Sequence, residues 1–434
     1  MRMIRVTTRY WWLVSLYMLS AFILAFPMMS ISVALTRELN ASFLEVSFYH
    51  TIVFIPWNFR AIYGLISDTV PINGQRRRFY LVLCYLFVGV CQVMYGQFVD
   101  SLASAYMIGI CLSFFTAFSA AVLDGVSVDL ALASCDEGRS ASHSITKSTD
   151  IQSANMAFRS GGTMLAVLIA GLLSTALSSR WIITISCIFP IISAIICMFV
   201  PLEQQYVRIP MTRQNGSSLF RSVCSSIKEQ RWRSMVIPGL FVFVYASIPT
   251  SNVPFNSFVY QSLGFSDPQL HAFTQCASVG SLIGTIAYWF LFRKTEDIRK
   301  AFGLSLVINA LSACTRLLVL LCGWTSIYFV CGDEMLIMAS SRLTLMAVLV
   351  YASVKAGSPY GGFLFGVFVS LLSWGGTLSG VIRSALTAQM SLDSLVASTA
   401  CMGILPLFGL NALKGADCPE KSVVDESTDV ISLS

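Results

Sequence analysis

Apolar residues run along this chain in blocks of roughly 18 to 25, long enough to cross a hydrocarbon layer about 30 Å thick. Twelve blocks are predicted as spanning helices, near residues 10–36, 43–67, 79–99, 103–132, 151–177, 181–200, 235–260, 270–292, 301–322, 333–354, 360–384 and 392–413. Short polar segments separate them, and one separation is longer than the rest. Over residues 201–234 the apolar pattern lapses into Glu-Gln-Gln, Arg-Gln-Asn-Gly-Ser-Ser and Lys-Glu-Gln-Arg-Trp-Arg. The chain therefore reads as an all-α integral membrane protein in two six-helix halves, 1–200 and 235–413, joined by a linker at 201–234. The Ser/Asp/Glu-rich tail, 414–434, is expected to be disordered.

Composition sharpens this picture. Of 434 residues, 56% are hydrophobic and only 12% charged, too much apolar surface for a soluble protein of this size to hide. Mean hydropathy is +0.73. The net charge of +6 is spread over loops rather than gathered in a patch, which argues against a nucleic-acid partner. Basic residues crowd one set of loops: Arg2, Arg5, Arg9, Arg76, Arg77, Arg78, Arg139, Lys147, Arg293, Lys294, Lys355 and the linker. The other set holds Arg37, Arg180 and Arg383. That asymmetry places both termini on the cytoplasmic side, with the plasma membrane the expected home. The first block is too long, and lacks the cleavage pattern, to be a signal peptide, so it is read as the first spanning helix. Thirteen cysteines contain no C-x-x-C, and three histidines, His50, His143 and His271, lie far apart. No metal or other cofactor is expected.

The stretch Pro56 to Tyr80, P-W-N-F-R-A-I-Y-G-L-I-S-D-T-V-P-I-N-G-Q-R-R-R-F-Y, concentrates the chemistry. Arg60, Gly64 and Asp68 are spaced four apart, about 40° per step, and share one face of a helix. Gly64 predicts close approach by a neighbouring helix. Asp68, at the mouth, is placed to accept from that neighbour's N-terminus or from an arginine of the following turn.

This stretch resembles the Gly-x-x-x-Asp and arginines between the second and third helices of major facilitator transporters. More narrowly, Pro56, Trp57, Arg60, Tyr63, Gly64, Ser67, Asp68, Pro71, Gly74 and Arg76 to Arg78 resemble the folate–biopterin transporter family. Similar positions continue at Pro249, Leu263, Gly264, Phe265, Gly280, Gly284, Gly332-Asp333 and Pro359-Tyr360-Gly361. Two departures stand out: Arg60-Ala61 replaces the family's Lys-Pro, and Phe363 replaces a glutamate. The resemblance implies a secondary transporter of folate- or biopterin-type pterins working by alternating access. Another small organic metabolite, or a non-transporting receptor or scaffold on the same fold, is the alternative.

Charge inside a spanning helix is costly and marks function by default. Arg60 suits a carboxylate bidentately and Trp57 offers a face to a flat ring. Asp124 suits a substrate amine or a transported proton. The bland reading pairs Arg60 with Asp124. Asp124 and Asp129, five apart, point about 140° away from each other and cannot serve one site. Asp129 and Arg159 are expected in a coupling or structural ion pair, Asp129 with Arg60 or Arg159. Gly64, Asp68, Arg76, Arg77 and Arg78 are expected to gate. Asp333 and Glu334 are read as anions at the outer N-terminus of the tenth helix. Gly161, Gly162, Gly171, Gly280 and Gly284 are read as packing surfaces. Nothing resembles a nucleotide loop or a nucleophile–base pair, so energy is expected from a proton gradient and enzymatic chemistry is not.

Overall fold

The computed structural model describes residues 7–132, 141–200, 232–265, 267–295, 297–356 and 361–413. Residues 201–231 of the expected linker, the tail and Pro359-Tyr360 lie outside these residues, and the linker's last three, 232–234, are helical instead. Among the described residues the secondary structure is helical, apart from one isolated bridge between Ile72 and Gln75. The helices are α1 (Trp11–Val33), α2 (Phe43–Val53), α3 (Arg60–Thr69), α4 (Arg78–Phe98), α5 (Leu102–Leu132), α6 (Ala141–Leu173), α7 (Ser179–Ile185) and α8 (Ile188–Phe199). They continue as α9 (Trp232–Ser247), α10 (Asn252–Ser262), α11 (Asp267–Phe292), α12 (Ile298–Leu321), α13 (Ile327–Lys355), α14 (Gly361–Thr387) and α15 (Leu392–Met402).

Among the described residues, ten helical segments are long and apolar enough to span a membrane. The other two predicted crossings are broken. The second divides into α2, a 3-10 turn (Ile55–Phe59) and α3. Pro56 sits at the first positions of that turn, where its missing N–H removes one rung of an α-helix. The seventh divides into α9 and α10 around Ile248–Ser251, where Pro249 both lacks a donor and disfavours helix at the residue before it. Hydropathy passes over such breaks because it averages over a window, and the apolar residues on either side outweigh the few polar ones at the break. Two ends also differ from expectation: α6 opens at Ala141 rather than near 151, and α13 opens at Ile327 rather than at Asp333.

Local chemistry sets several starts. Ser42 accepts from the backbone N–H of Glu45, whose carboxylate accepts in return from the Ser42 N–H, closing a capping box on α2. Asp297 caps α12 through the Arg299 N–H, and the same arginine holds its carboxyl below the usual range.

Chain direction alternates, so Arg76 to Arg78 define one end of the bundle, here the basic end. Arg78 donates to the carbonyl of Val200 there at 2.8 Å. At the opposite end Arg180 bonds Glu38 and the Val99 carbonyl. The first six crossings meet the last six along two seams, α3 with α14 and α6 with α11, while α5 and α13 also reach across.

Small residues make the tightest crossings. A Cβ on Gly64 would sit 2.6 Å from the Gly362 carbonyl, so α3 and α14 touch through backbone, as the spacing predicts. Gly280 and Gly284 bring α11 against the backbone of Met335 and Ala339 on α13. Gly162 meets Met18 on α1. Gly161 and Gly171, read as packing positions, instead face open space. Gly284→Val should therefore lower the stability of the purified protein by roughly 1–3 kcal/mol or more through overpacking. Gly171→Ala should leave it unchanged, and thermal unfolding in detergent compares the two.

Candidate functional site

The break before α3 positions the site. With the 3-10 turn ending at Phe59, Arg60 begins α3 well below the membrane's far face, and Trp57 stays on the turn just ahead of it. The Arg60 guanidinium carbon lies 5.4 Å from the Trp57 ring centre. Arg60 donates to one oxygen of Asp124 on α5, and Tyr17 on α1 donates to the other at 2.7 Å. Arg60 and Asp124 are 7% and 6% exposed. Trp57, Arg60 and Asp124 are thus brought together, and Arg60 and Asp124 are spent largely on each other.

Two turns further on, Asp68 lies where both halves meet. One oxygen accepts from Arg77 Nη2 at 2.8 Å, and the other accepts from the backbone N–H of Phe363 at the start of α14, also at 2.8 Å. Arg77 Nη2 is 2.7 Å from Asp129 as well. Asp129, expected with Arg60 or Arg159, therefore pairs with Arg77, because five residues carry it about 7.5 Å nearer the basic end and onto a different face from Asp124. Room for this guanidinium comes from Gly125, where a Cβ would stand 1.8 Å from Arg77 Nη1. Sequence reading passed over Gly125, and its only signal is its place beside Asp124. The three arginines are not equivalent: Arg77 joins the latch, Arg78 anchors α8, and Arg76 makes no ion pair or hydrogen bond among the described residues.

More contacts tie the halves together near the basic end. Trp289 Nε1 on α11 donates to Asp150 on α6 at 2.6 Å, and Ser148 on α6 lies 3.4 Å from Ser353 on α13. Along the α3 and α14 seam the Ala61 N–H donates to Ser370. Asp150 and Trp289 escaped sequence reading because neither belongs to a recognisable spacing.

Arg159, expected in an ion pair, forms none among the described residues, although the charges of Arg60 and Asp124 act on it. Asp333 and Glu334 correct a second expectation. Six residues of helix precede Asp333, so neither acid lies in the first turn, where the dipole acts. Both instead answer the fully buried Arg316, at 3.0 and 2.6 Å, while Asn252 accepts from its remaining arm and Phe255 covers it at 4.1 Å. The cluster sets two acids against one base, and Glu334 Oε1 is buried without a partner among the described residues.

Two halves of six crossings, latched at one end and carrying buried ion pairs, define a facilitator-type membrane fold. The human organic anion transporter MFSD10 superposes with a TM-score of 0.64 at 15% identity, over 94% of this chain and 99% of that one. The proton:xylose symporter XylE of the major facilitator superfamily gives 0.65 at 12% identity, over 92% and 94%. These likenesses concern the fold. The BT1 family model matches residues 22–404, and the chain belongs to the BT1 family. A folate-biopterin transporter of Synechocystis is 26% identical over 378 residues, 83% of this chain and 73% of the relative. Folate transporter 2 of Plasmodium falciparum is 23% identical over 355 residues, 81% and 74%. The chain is a multi-pass membrane transporter and not an enzyme.

Breaking a buried pair strands the remaining charge, which costs about 3–5 kcal/mol. Arg60→Gln and Asp124→Asn should each destabilise the protein by roughly that amount, and the double variant should regain most of it. Thermal unfolding of the four proteins measures the coupling.

Proposed function

We propose that this chain carries a folate- or biopterin-type pterin across the membrane by alternating access, drawing on a proton gradient. The supporting observation is its similarity to a folate-biopterin transporter along 83% of the chain, spanning both halves. Within the chain, Trp57 offers a π-face to a flat ring beside the Arg60 guanidinium. The basic end is cytoplasmic in this reading, since the arginine-rich loops gather there.

In this reading the contacts between the halves at that end belong to the outward-facing state. Opening to the cytoplasm has to break the Asp68 bond to the Phe363 amide and part Asp150 from Trp289, while Arg77 keeps Asp68 and Asp129 paired within the first half. Solute binding favours that step only so far as it binds the opened or occluded state more tightly. In the two departures from the family pattern, Phe363 serves the latch through its backbone and Arg60 keeps the positive charge of lysine. A different small organic solute is the second reading, favoured by the mutual neutralisation of Arg60 and Asp124.

Because Asp124 is already held by Arg60 and Tyr17, the proton is better assigned to the Arg316, Asp333 and Glu334 cluster. A second acid on one arginine and the open oxygen of Glu334 suit a carboxyl that gains and loses a proton.

Cells lacking pterin transport and expressing the chain should take up labelled folate or biopterin saturably, and lose accumulation when the proton gradient is collapsed. Glu334→Gln should keep exchange of labelled for unlabelled solute while losing at least tenfold in concentrative uptake. Surface-expressed protein that moves neither compound would overturn the pterin reading. Unchanged concentrative uptake in Glu334→Gln would overturn the proton assignment.

A further inference from the structure

Arg159 and Arg342 stand apart from the other buried charges. Arg159 lies 14 residues before the end of α6 at Leu173, and Arg342 lies 15 residues after the start of α13 at Ile327. At 1.5 Å per residue both are about 21–23 Å from the same end of the bundle, near the middle of their helices. The two helices pack against each other, although one belongs to the first half and the other to the second. Equal depth on two packed helices puts the two like charges within electrostatic reach of each other. Neither forms an ion pair or a side-chain hydrogen bond among the described residues, and each is only partly buried.

The surroundings do not neutralise them. Asp124, the nearby acid, is held by Arg60 and Tyr17. The buried hydroxyl of Tyr85, within electrostatic reach of Arg159, has no partner. Two cations left together at mid-membrane are costly unless something anionic visits them. Each guanidinium presents a planar fork that matches a carboxylate.

We propose that Arg159 and Arg342 form a carboxylate subsite in the transport pathway, one arginine from each half gripping the anionic part of the solute. The proposal rests on the reading of the chain as an alternating-access transporter and deepens it. A carboxylate between the two replaces repulsion with attraction and draws α6 toward α13. Binding is thereby coupled to occlusion. Solutes bearing a carboxylate, such as a pterin with a glutamate tail, are preferred over neutral pterins.

The test uses the purified full chain in nanodiscs, with binding read by titration. The probes are folate, p-aminobenzoylglutamate, which keeps the carboxylates without the pterin, and biopterin, which keeps the ring without a carboxylate. Wild type should bind the two carboxylates, and Arg159→Gln and Arg342→Gln should each weaken them at least tenfold. Arg159→Lys and Arg342→Lys should recover part of the loss, and any binding of biopterin should be unaffected. Without ligand, the Gln variants should unfold at or above the wild-type temperature, since they remove an unanswered charge. Equal carboxylate binding in wild type and Gln variants would overturn the subsite, as would no carboxylate binding to wild type. A marked fall in unfolding temperature would overturn it too, by revealing a structural pairing. Arginine-dependent binding of p-aminobenzoylglutamate without binding of folate would keep the subsite and sink the pterin reading.

Discussion

A bilayer offers no water to an ion, so a charge carried below its surface has to be answered by another charge, by hydrogen bonds or by a passing solute. Much of the architecture follows from how the answers are arranged. Arg60, Asp124 and Tyr17 join α3, α5 and α1 at mid-depth. Arg316 with Asp333, Glu334 and Asn252 joins α12, α13 and α10. Each cluster locks helices of one half to one another, which lets a half behave as a rigid body. The contacts across the halves are of another kind: a single carboxylate on a backbone amide, an indole N–H on an acid, a pair of serine hydroxyls. Such contacts can be made and broken repeatedly, because parting them strands little charge.

Asp68 joins the two kinds of contact. Arg77 holds one of its oxygens inside the first half while the Phe363 amide holds the other from the second half. Gly64 and Gly362 allow the approach, since a side chain on either would wedge the helices apart before the carboxylate could reach the amide. Side-chain identity at 363 is therefore free at this contact, because Asp68 uses only the backbone N–H.

Features that depend on neighbouring residues in the chain were legible before the structure. Hydropathy locates the crossings because burial in lipid is a property of a whole segment, and the spacing of Arg60, Gly64 and Asp68 implies a shared face. Breaks at Pro56 and Pro249 were visible as prolines yet lay inside apolar windows. Two partnerships were legible as well, Arg60 with Asp124 and Asp68 with an arginine and a neighbouring helix start; the others were not. Nothing local separates Arg77 from Arg76 and Arg78; the difference is the hole left by Gly125 on another helix. Asp333 and Glu334 were misplaced because the start of α13 lies upstream in a segment as apolar as the helix itself, and their partner Arg316 is on α12. That Arg159 forms no ion pair among the described residues is a statement about its whole surroundings, which no spacing records.

The central claim is that the basic ends of the two halves part during transport while each half keeps its own ion pairs. Spin labels at Val70 and Lys294, both exposed beside the two seams at the basic end, report that separation directly. Pulsed dipolar spectroscopy on active protein in nanodiscs should show one short distance without solute and a second, longer one once a transported solute is added. Asp68→Asn should populate the longer distance without solute. A single distance that never changes while the same preparation transports would contradict the account.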